Sequence, residues 1–295
     1  MPKVSIVIPN YNYGRFLEQR LRSVFSQTFQ DFEVVYLDDA STDDSREVIS
    51  KFTGDPRIRI VENRHNSGNV FAQWNRGVRE CSGEYVWIAE ADDFADPGFL
   101  AAMVECLDRN PAAGLAWCQS WQVDERGATV DLTQSRFEWL SRDRWSRDYT
   151  RNGIDEVREC LAYMNTIPNA SAVVFRRTLY ERVSRGNEGF QLCGDWYTWV
   201  QIALASQVTF VSRPLNYYRS HPNTVRAAAR RDCVDIEEMG RVTMHVVREV
   251  GLPGLAWHRL AARVFRLGFR YLVGWTTARL SSLRPRRDAH EPRHR

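Results

Sequence analysis

Lysine is nearly missing from this chain: of its 40 basic residues only Lys3 and Lys51 are lysine, an imbalance that compositional bias alone can produce. Arginine density by itself therefore does not mark a nucleic-acid surface. Cysteine is sparse and scattered, at Cys81, Cys106, Cys118, Cys160, Cys193 and Cys233, with no C-x-x-C pair. That spacing argues against structural zinc or a dithiol redox centre and is expected of buried thiols in a reducing compartment. No apolar run reaches the roughly 18 residues of a membrane-spanning helix. Met1-Pro2-Lys3 leads straight into VSIVI, without the basic, apolar, small-residue order of a signal peptide. The expected location is the cytoplasm, with peripheral attachment to the inner face of the plasma membrane as an extension of it. No G-x-G-x-x-G follows the first apolar run, which argues against a nicotinamide-dependent dehydrogenase. Internal repeats and low-complexity linkers are also missing.

What is present suffices for a core. Hydrophobic residues make up 43% and aromatic residues 12% of 295 positions, enough for one large α/β domain with a smaller appendage. Charge is uneven along the chain. Residues 241–295 carry twelve Arg against Glu249, Asp288 and Glu291, so that segment is +9 and the remainder −6 within a net +3.

Short β-branched runs alternate with helical spacing through the first hundred residues. Strands are expected at Val4–Ile8, Phe32–Leu37, Ile58–Glu62 and Glu84–Ala89, with helices over Phe16–Ser26, Ser45–Phe52, Phe71–Glu80 and Ala101–Leu107. This βα alternation predicts a doubly wound, mostly parallel sheet with ligands at the carboxyl ends of its strands. Further strands are expected at Gly114–Val123, Ser171–Phe175 and Val208–Val211, the last stopping before Pro214, and a helix over Trp196–Ala205. The Arg- and Trp-rich stretch 124–151 has no clear period.

Three polar clusters fall at strand ends. Glu90-Ala91-Asp92-Asp93 crowds three carboxylates, whose repulsion a cation completed by substrate phosphates would relieve. A solvated acidic turn ahead of the next helix is the alternative. Pro9-Asn10-Tyr11-Asn12-Tyr13 offers aromatic faces and amides to a nucleobase, and Asp39 follows the second strand. Ordinary turn chemistry also explains these residue types. Their convergence on one sheet edge favours a ligand.

In these motifs the chain resembles the inverting family 2 glycosyltransferases of the GT-A fold, over roughly Val4 to His221. VSIVIPNYNYGRFLEQRLRSVFSQTFQDFEVVYLDDASTDDS is similar to that family's nucleotide-binding half, which implies that Pro9, Tyr11, Asn12 and Asp39 hold base and ribose. NSGNVFAQWNRGV resembles its segment near the donor phosphates, implicating Asn66, Gly68 and Asn75. GEYVWIAEADD resembles the strand that delivers a D-x-D-type metal motif, with Glu90 in place of the usual first Asp. The resemblance puts Glu90 and Ala91 at the nucleotide sugar, and Asp92 and Asp93 at Mg²⁺ or Mn²⁺, with Asp92 favoured as the direct ligand. CGDWYTWVQIAL resembles the family's acidic motif before an acceptor-side helix, which implies Asp195 as general base; a helix N-cap would also explain an Asp there. LNYYRSH resembles the late YR-x-H segment, whose His221 reaches the diphosphate or metal. NTIPNAS, residues 165–171, lines the acceptor side or forms a turn.

The implied organisation is a GT-A-like catalytic domain over 1–225, with a nucleotide-sugar half 1–110 and an acceptor half 111–225. A helical region 226–283 and a disordered basic tail 284–295 are expected to follow. Within 257–275 apolar and arginine faces separate, as in a helix at an anionic lipid surface or one packed on the catalytic domain. The implied partners are a nucleoside-diphosphate sugar and a carbohydrate or lipid-linked acceptor, in the assembly of a cell-surface polysaccharide or glycolipid. Nucleic acid is disfavoured because the acidic strand-end clusters would repel phosphate. A catalytically inactive nucleotide-binding or scaffold protein that keeps the GT-A fold is the rival reading.

Overall fold

A computed structural model describes residues 1–251 apart from 142, 184–186 and 223–233. The helix expected over 257–275, the tail and Cys233 lie outside the described residues. The other five cysteines are unbridged; Cys106 is half-buried and the rest are buried.

The first half follows the expected alternation: β1 Val4–Asn10, α1 Gly14–Phe25, β2 Phe32–Asp38, α2 Ser45–Ser50, β3 Ile58–Glu62, α3 Val70–Glu80 and β4 Tyr85–Ile88. Strands β3, β2, β1 and β4 lie side by side in that order, all parallel. The order reverses at β1, so the crevice beyond the carboxyl ends of β1 and β4 is the point where such sheets bind ligands. Alternate residues of β1 serve opposite layers. Val4, Ile6 and Ile8 join Leu17 and Leu21 of α1 and Val48 of α2 in one core. Val7 faces α3, where a Cβ on Gly77 would come within 2.4 Å of it, so the missing side chain lets helix and sheet close together.

The second half completes a mixed sheet. After the short β5 (Phe94–Ala95) and α4 (Phe99–Arg109) come β6 Ala113–Val123, β7 Thr129–Leu132 and β8 Tyr149–Asn152. Then follow α5 Gly153–Glu156, β9 Val173–Arg176, α6 Arg177–Val183, α7 Gly194–Leu204, β10 Gln207–Arg219 and α8 Val234–Val250. From β4 the order continues β9, β6, β10, β5, with β9 antiparallel to both neighbours and β6 parallel to β10.

Two expectations change here. The last strand does not stop before Pro214 but runs on to Arg219, because register shifts on either side of Pro214 accommodate a residue that cannot donate to the ladder. The unassigned stretch 124–151 supplies edge strands β7 and β8, pairing with β6 and β10. Helix α8 belongs to the same compact unit as the sheet, which extends from Met1 to Leu252.

Candidate active site

The carboxyl ends of β1, β2 and β4 open into a cleft of about 720 Å³. Pro9, Tyr11, Asn12, Asp39, Asn66, Gly68, Glu90, Asp92, Asp93 and Asp195 all line it. Asn12 and Ala40, at the ends of β1 and β2, have positive φ values of 57° and 63°. Such conformations cost energy for residues with a Cβ, and here they sit in the two loops facing the cleft. Asn12 is held there by cross-loop bonds: Thr42 N–H donates to its Oδ1 (2.7 Å), and its own N–H donates to Ser41 Oγ (3.0 Å). Tyr11 keeps 44% of its surface exposed, a free aromatic face at the rim. Asp39 is buried and accepts from Asn63 Nδ2, from the N–H and hydroxyl of Ser67, and from Gln73 Nε2. Its carboxylate thus anchors the 63–69 loop while lining the cleft.

The acidic loop is braced from beneath by two buried arginines. Arg20 of α1 donates from Nε to the Glu90 carbonyl (2.8 Å) and from Nη2 to Ser171 Oγ (3.1 Å). Arg219, at the end of β10, donates from Nε to the Asp92 carbonyl (2.7 Å) and from its backbone N–H to Asp93 Oδ1 (2.8 Å). Asn169 Nδ2 fills the other Asp93 oxygen at 2.9 Å. Burial and then the charge of Asp92 push the Glu90 carboxyl up to about 8, although Trp74 Nε1 donates to it at 2.9 Å. Burial and Asp92 likewise raise Asp93 to about 6. Asp92 is less enclosed, and its Oδ2 lies 3.1 Å from His221 Nε2. The His221 ring is buried edge-on to Tyr13, its Nδ1 unpartnered among the described residues.

Asp195 faces this loop from the second half. It lies inside the first turn of α7, where the cap position is Cys193, so N-capping does not account for it. Its Oδ1 accepts from Trp196 N–H (2.6 Å) and its Oδ2 from Asn165 Nδ2 (3.1 Å). NTIPNAS is therefore more than a turn, since Asn165 braces Asp195 and Asn169 braces Asp93, with Pro168, Asn169 and Ala170 on the cleft wall.

A sequence model of the family described as Glycosyl transferase family 2 matches residues 5–159, more than half of the 295. The chain belongs to glycosyltransferase family 2. This family 2 chain is 28% identical over 228 residues to an uncharacterised glycosyltransferase of Nostoc sp., covering 74% of itself and 65% of that relative. It thus spans just under two thirds of that relative's length. Among solved structures it is similar to Staphylococcus aureus TarS 1-349 in complex with UDP-GlcNAc, at 17% identity and a TM-score of 0.62, over 84% of this chain and 70% of that one. It is also similar to the mannosyltransferase PcManGT of Pyrobaculum calidifontis in complex with GDP-Man and Mn²⁺, at 20% identity and a TM-score of 0.57, over 96% and 81% of the two chains. The fold is GT-A.

In the family 2 chain, two residues implied at the donor do not line the cleft. Ala91 is buried in the core. Asn75 instead ties α3 to the second half, donating to Asn187 Oδ1 (2.9 Å) and Glu188 Oε1 (2.7 Å) and accepting from the Tyr180 hydroxyl (2.7 Å). His221 does not itself line the cleft; it meets cleft residues through Asp92 and the edge of the Tyr13 ring. No group of three or more His, Cys, Asp or Glu side chains able to hold a metal occurs among the described residues. Mg²⁺ and Mn²⁺ at diphosphates need fewer, being commonly held by one or two carboxylates with phosphate oxygens and water. The pair Asp92 and His221, beside Glu90 and Asp93 carboxyls raised by burial and then by the charge of Asp92, fits such a shared cation. Asp93 fits less well, because protein donors already engage both its oxygens. Arg20 and Arg219 escape residue-by-residue reading, since buried arginines look like surface ones in a sequence.

Proposed function

We propose that this chain transfers a glycosyl group from a nucleoside-diphosphate sugar to an acceptor hydroxyl, with inversion at the anomeric carbon and Asp195 as general base. The observation that carries this reading is the single cleft shared by the Glu90–Asp93 loop, the β1 and β2 loops and Asp195. An inverting displacement needs a leaving-group end and a base end facing one reacting carbon. Tyr11 stacks on the base, and the Asn66–Gly68 loop lies along the phosphates. The Asp195 carboxylate takes the acceptor proton as the hydroxyl oxygen bonds to the anomeric carbon. The bond from that carbon to the diphosphate oxygen breaks, and the diphosphate departs with the electron pair. A divalent cation, when bound by Asp92 and His221, would neutralise the charge gathering on the leaving diphosphate. A carbohydrate or lipid-linked acceptor, and a role in cell-surface polysaccharide or glycolipid assembly, follow from the family resemblance. Among the described residues no helix is long and apolar enough to cross a membrane.

Calorimetric titration of UDP, GDP and dTDP with and without Mn²⁺ tests the reading. Cation-dependent binding of one nucleotide, with transfer abolished in Asp195→Asn while that binding persists, is the expected result. A folded protein that binds none of the three would instead favour a scaffold.

A further inference from the structure

Glu238 lies in α8, 43 residues beyond Asp195, yet its carboxylate is buried against the segment that leads into α7. Three successive backbone N–H groups converge on it: Gln191 to Oε1 at 2.6 Å, and Leu192 and Cys193 to Oε2 at 2.9 and 2.8 Å. One turn further along, Arg241 donates to the Gly189 carbonyl (2.8 Å) and lies 4.3 Å from the centre of the Phe190 ring. The opposite side of the segment is held by Asn69, the cap of α3, whose Nδ2 donates to the carbonyls of Glu188 (2.9 Å) and Phe190 (3.2 Å). Residues 188–193 are thus clamped between the nucleotide half and α8. Gln191 and Leu192 of this stretch, and Asp195 two residues beyond it, line the cleft.

From this geometry we infer that Glu238 is a positioning residue for the acceptor-side wall, fixing the chain entering α7 and with it the Asp195 carboxylate. This rests on the reading of Asp195 as the base. The physical reason for a carboxylate is plain. The N–H groups leading into a helix lack intrahelical partners, and Cys193 supplies no side-chain cap. An anion accepting several N–H bonds at the positive end of a helix dipole satisfies them more strongly than a neutral group would. A carboxylate on a separate helix also fixes the loop in space, which a local cap could not do. Helix α8 is in this view part of the catalytic apparatus.

The test uses the full chain and its Glu238→Gln variant. The amide places an N–H₂ group where one or more backbone donors point. Hydrogen exchange measured on peptides spanning 188–196 should quicken about tenfold or more, the scale expected for loss of charge-assisted hydrogen bonds. Turnover should fall by about tenfold or more, with Mn²⁺-dependent nucleotide affinity within about twofold of wild type. Glu238→Asp, one methylene shorter, should fall between the two. If Glu238→Gln does not fold, Arg241→Ala, which removes a neighbouring tie and keeps the carboxylate, should show the same pattern in smaller measure. Unchanged exchange, or nucleotide binding and turnover falling together, would overturn the inference. Asp195→Asn serves as the separate control. Turnover surviving in that variant overturns the base assignment itself, whereas an inactive Asp195→Asn beside a fully active Glu238→Gln overturns only the role of Glu238.

Discussion

Arg219 and Asp93 are locked together through the backbone, the Arg219 N–H donating to Asp93 Oδ1 at 2.8 Å while the Arg219 guanidinium wraps the loop on which Asp93 sits. The same guanidinium donates to the carbonyls of Asp124 (3.1 Å) and Glu125 (2.8 Å) and to Gln19 Oε1 (2.6 Å). It is 2% exposed and lies 4.7 Å from the centre of the Phe16 ring. One side chain therefore joins β10, the acidic loop, the turn after β6 and α1. Replacing it with Met would leave several part-buried acceptors without this donor and remove a buried charge facing Asp92 and Asp93, so Arg219→Met is expected to cost about 3 kcal/mol or more. Urea unfolding measures this. A loss under about 1 kcal/mol would mean that water replaces the guanidinium without penalty.

The two neighbouring aspartates should separate by phenotype. Asp92 offers an oxygen that no described donor occupies, whereas both Asp93 oxygens accept from Asn169 and Arg219. Asp92→Asn is expected to weaken Mn²⁺-dependent nucleotide binding by about ten- to a hundredfold, with the folded state nearly as stable as before. Asp93→Asn turns an amide N–H₂ toward an existing donor and should cost about 2 kcal/mol in stability, with a smaller effect on the cation. Calorimetry and thermal unfolding on both variants make the comparison. The reverse pattern would transfer the cation to Asp93.

How legible was this in the sequence? Element order in the nucleotide half is set locally: β-branched runs such as Val4–Ile8 are closed by Pro9 and Asn10, and α3 starts at an Asn able to cap it. Those signals lie within a few residues of their effects, and they gave the strand ends and hence the cleft. Strand β10 was obscured because Pro214 reads as a terminator, and only pairing with β6 shows that shifted register absorbs it. The placements of Asn75 and Glu238 depend on partners more than 40 residues away. Nothing in their neighbourhoods distinguishes a cleft residue from a tie between halves.

Glu33 provides a pH-dependent test remote from the cleft. Burial pushes its carboxyl up, but the Ser5 hydroxyl (2.6 Å), the Ser82 N–H (2.7 Å) and the Ser82 hydroxyl (2.8 Å) all donate to it, and the net shift is below its ordinary 4.5. A folded value below the unfolded one means that the contribution is complete above about 4.5 and fades as pH falls through the folded value. Glu33→Gln should therefore lose about 1 kcal/mol at pH 7, a modest figure because the carboxylate is half-exposed. It should lose progressively less against wild type in acid. Unfolding midpoints from pH 7 down to about 3 would show the gap narrowing. A constant gap would mean that shape, rather than ionisation, matters there.

Gly194 opens α7 against the Phe71 ring, where an added Cβ would lie 2.6 to 2.8 Å from three ring atoms. Phe71 lines the cleft and Asp195 follows Gly194 directly. A methyl group at 194 must push α7 away from α3 or displace the ring. Overpacking of this kind costs about 1–3 kcal/mol. The consequence for chemistry should be larger than that for folding, because a shift of about 1 Å in a base can cost a hundredfold in rate. Gly194→Ala is accordingly expected to remain folded with a modestly lowered unfolding temperature, to bind nucleotide, and to lose most of its turnover. Gly77→Ala is the comparison: it crowds Val7 and Leu37 in the core, away from the cleft, and should lower stability with turnover per folded molecule preserved. If both variants lost stability and turnover in the same proportion, the close contact between Gly194 and Phe71 would be packing alone, and the position of Asp195 would not depend on it.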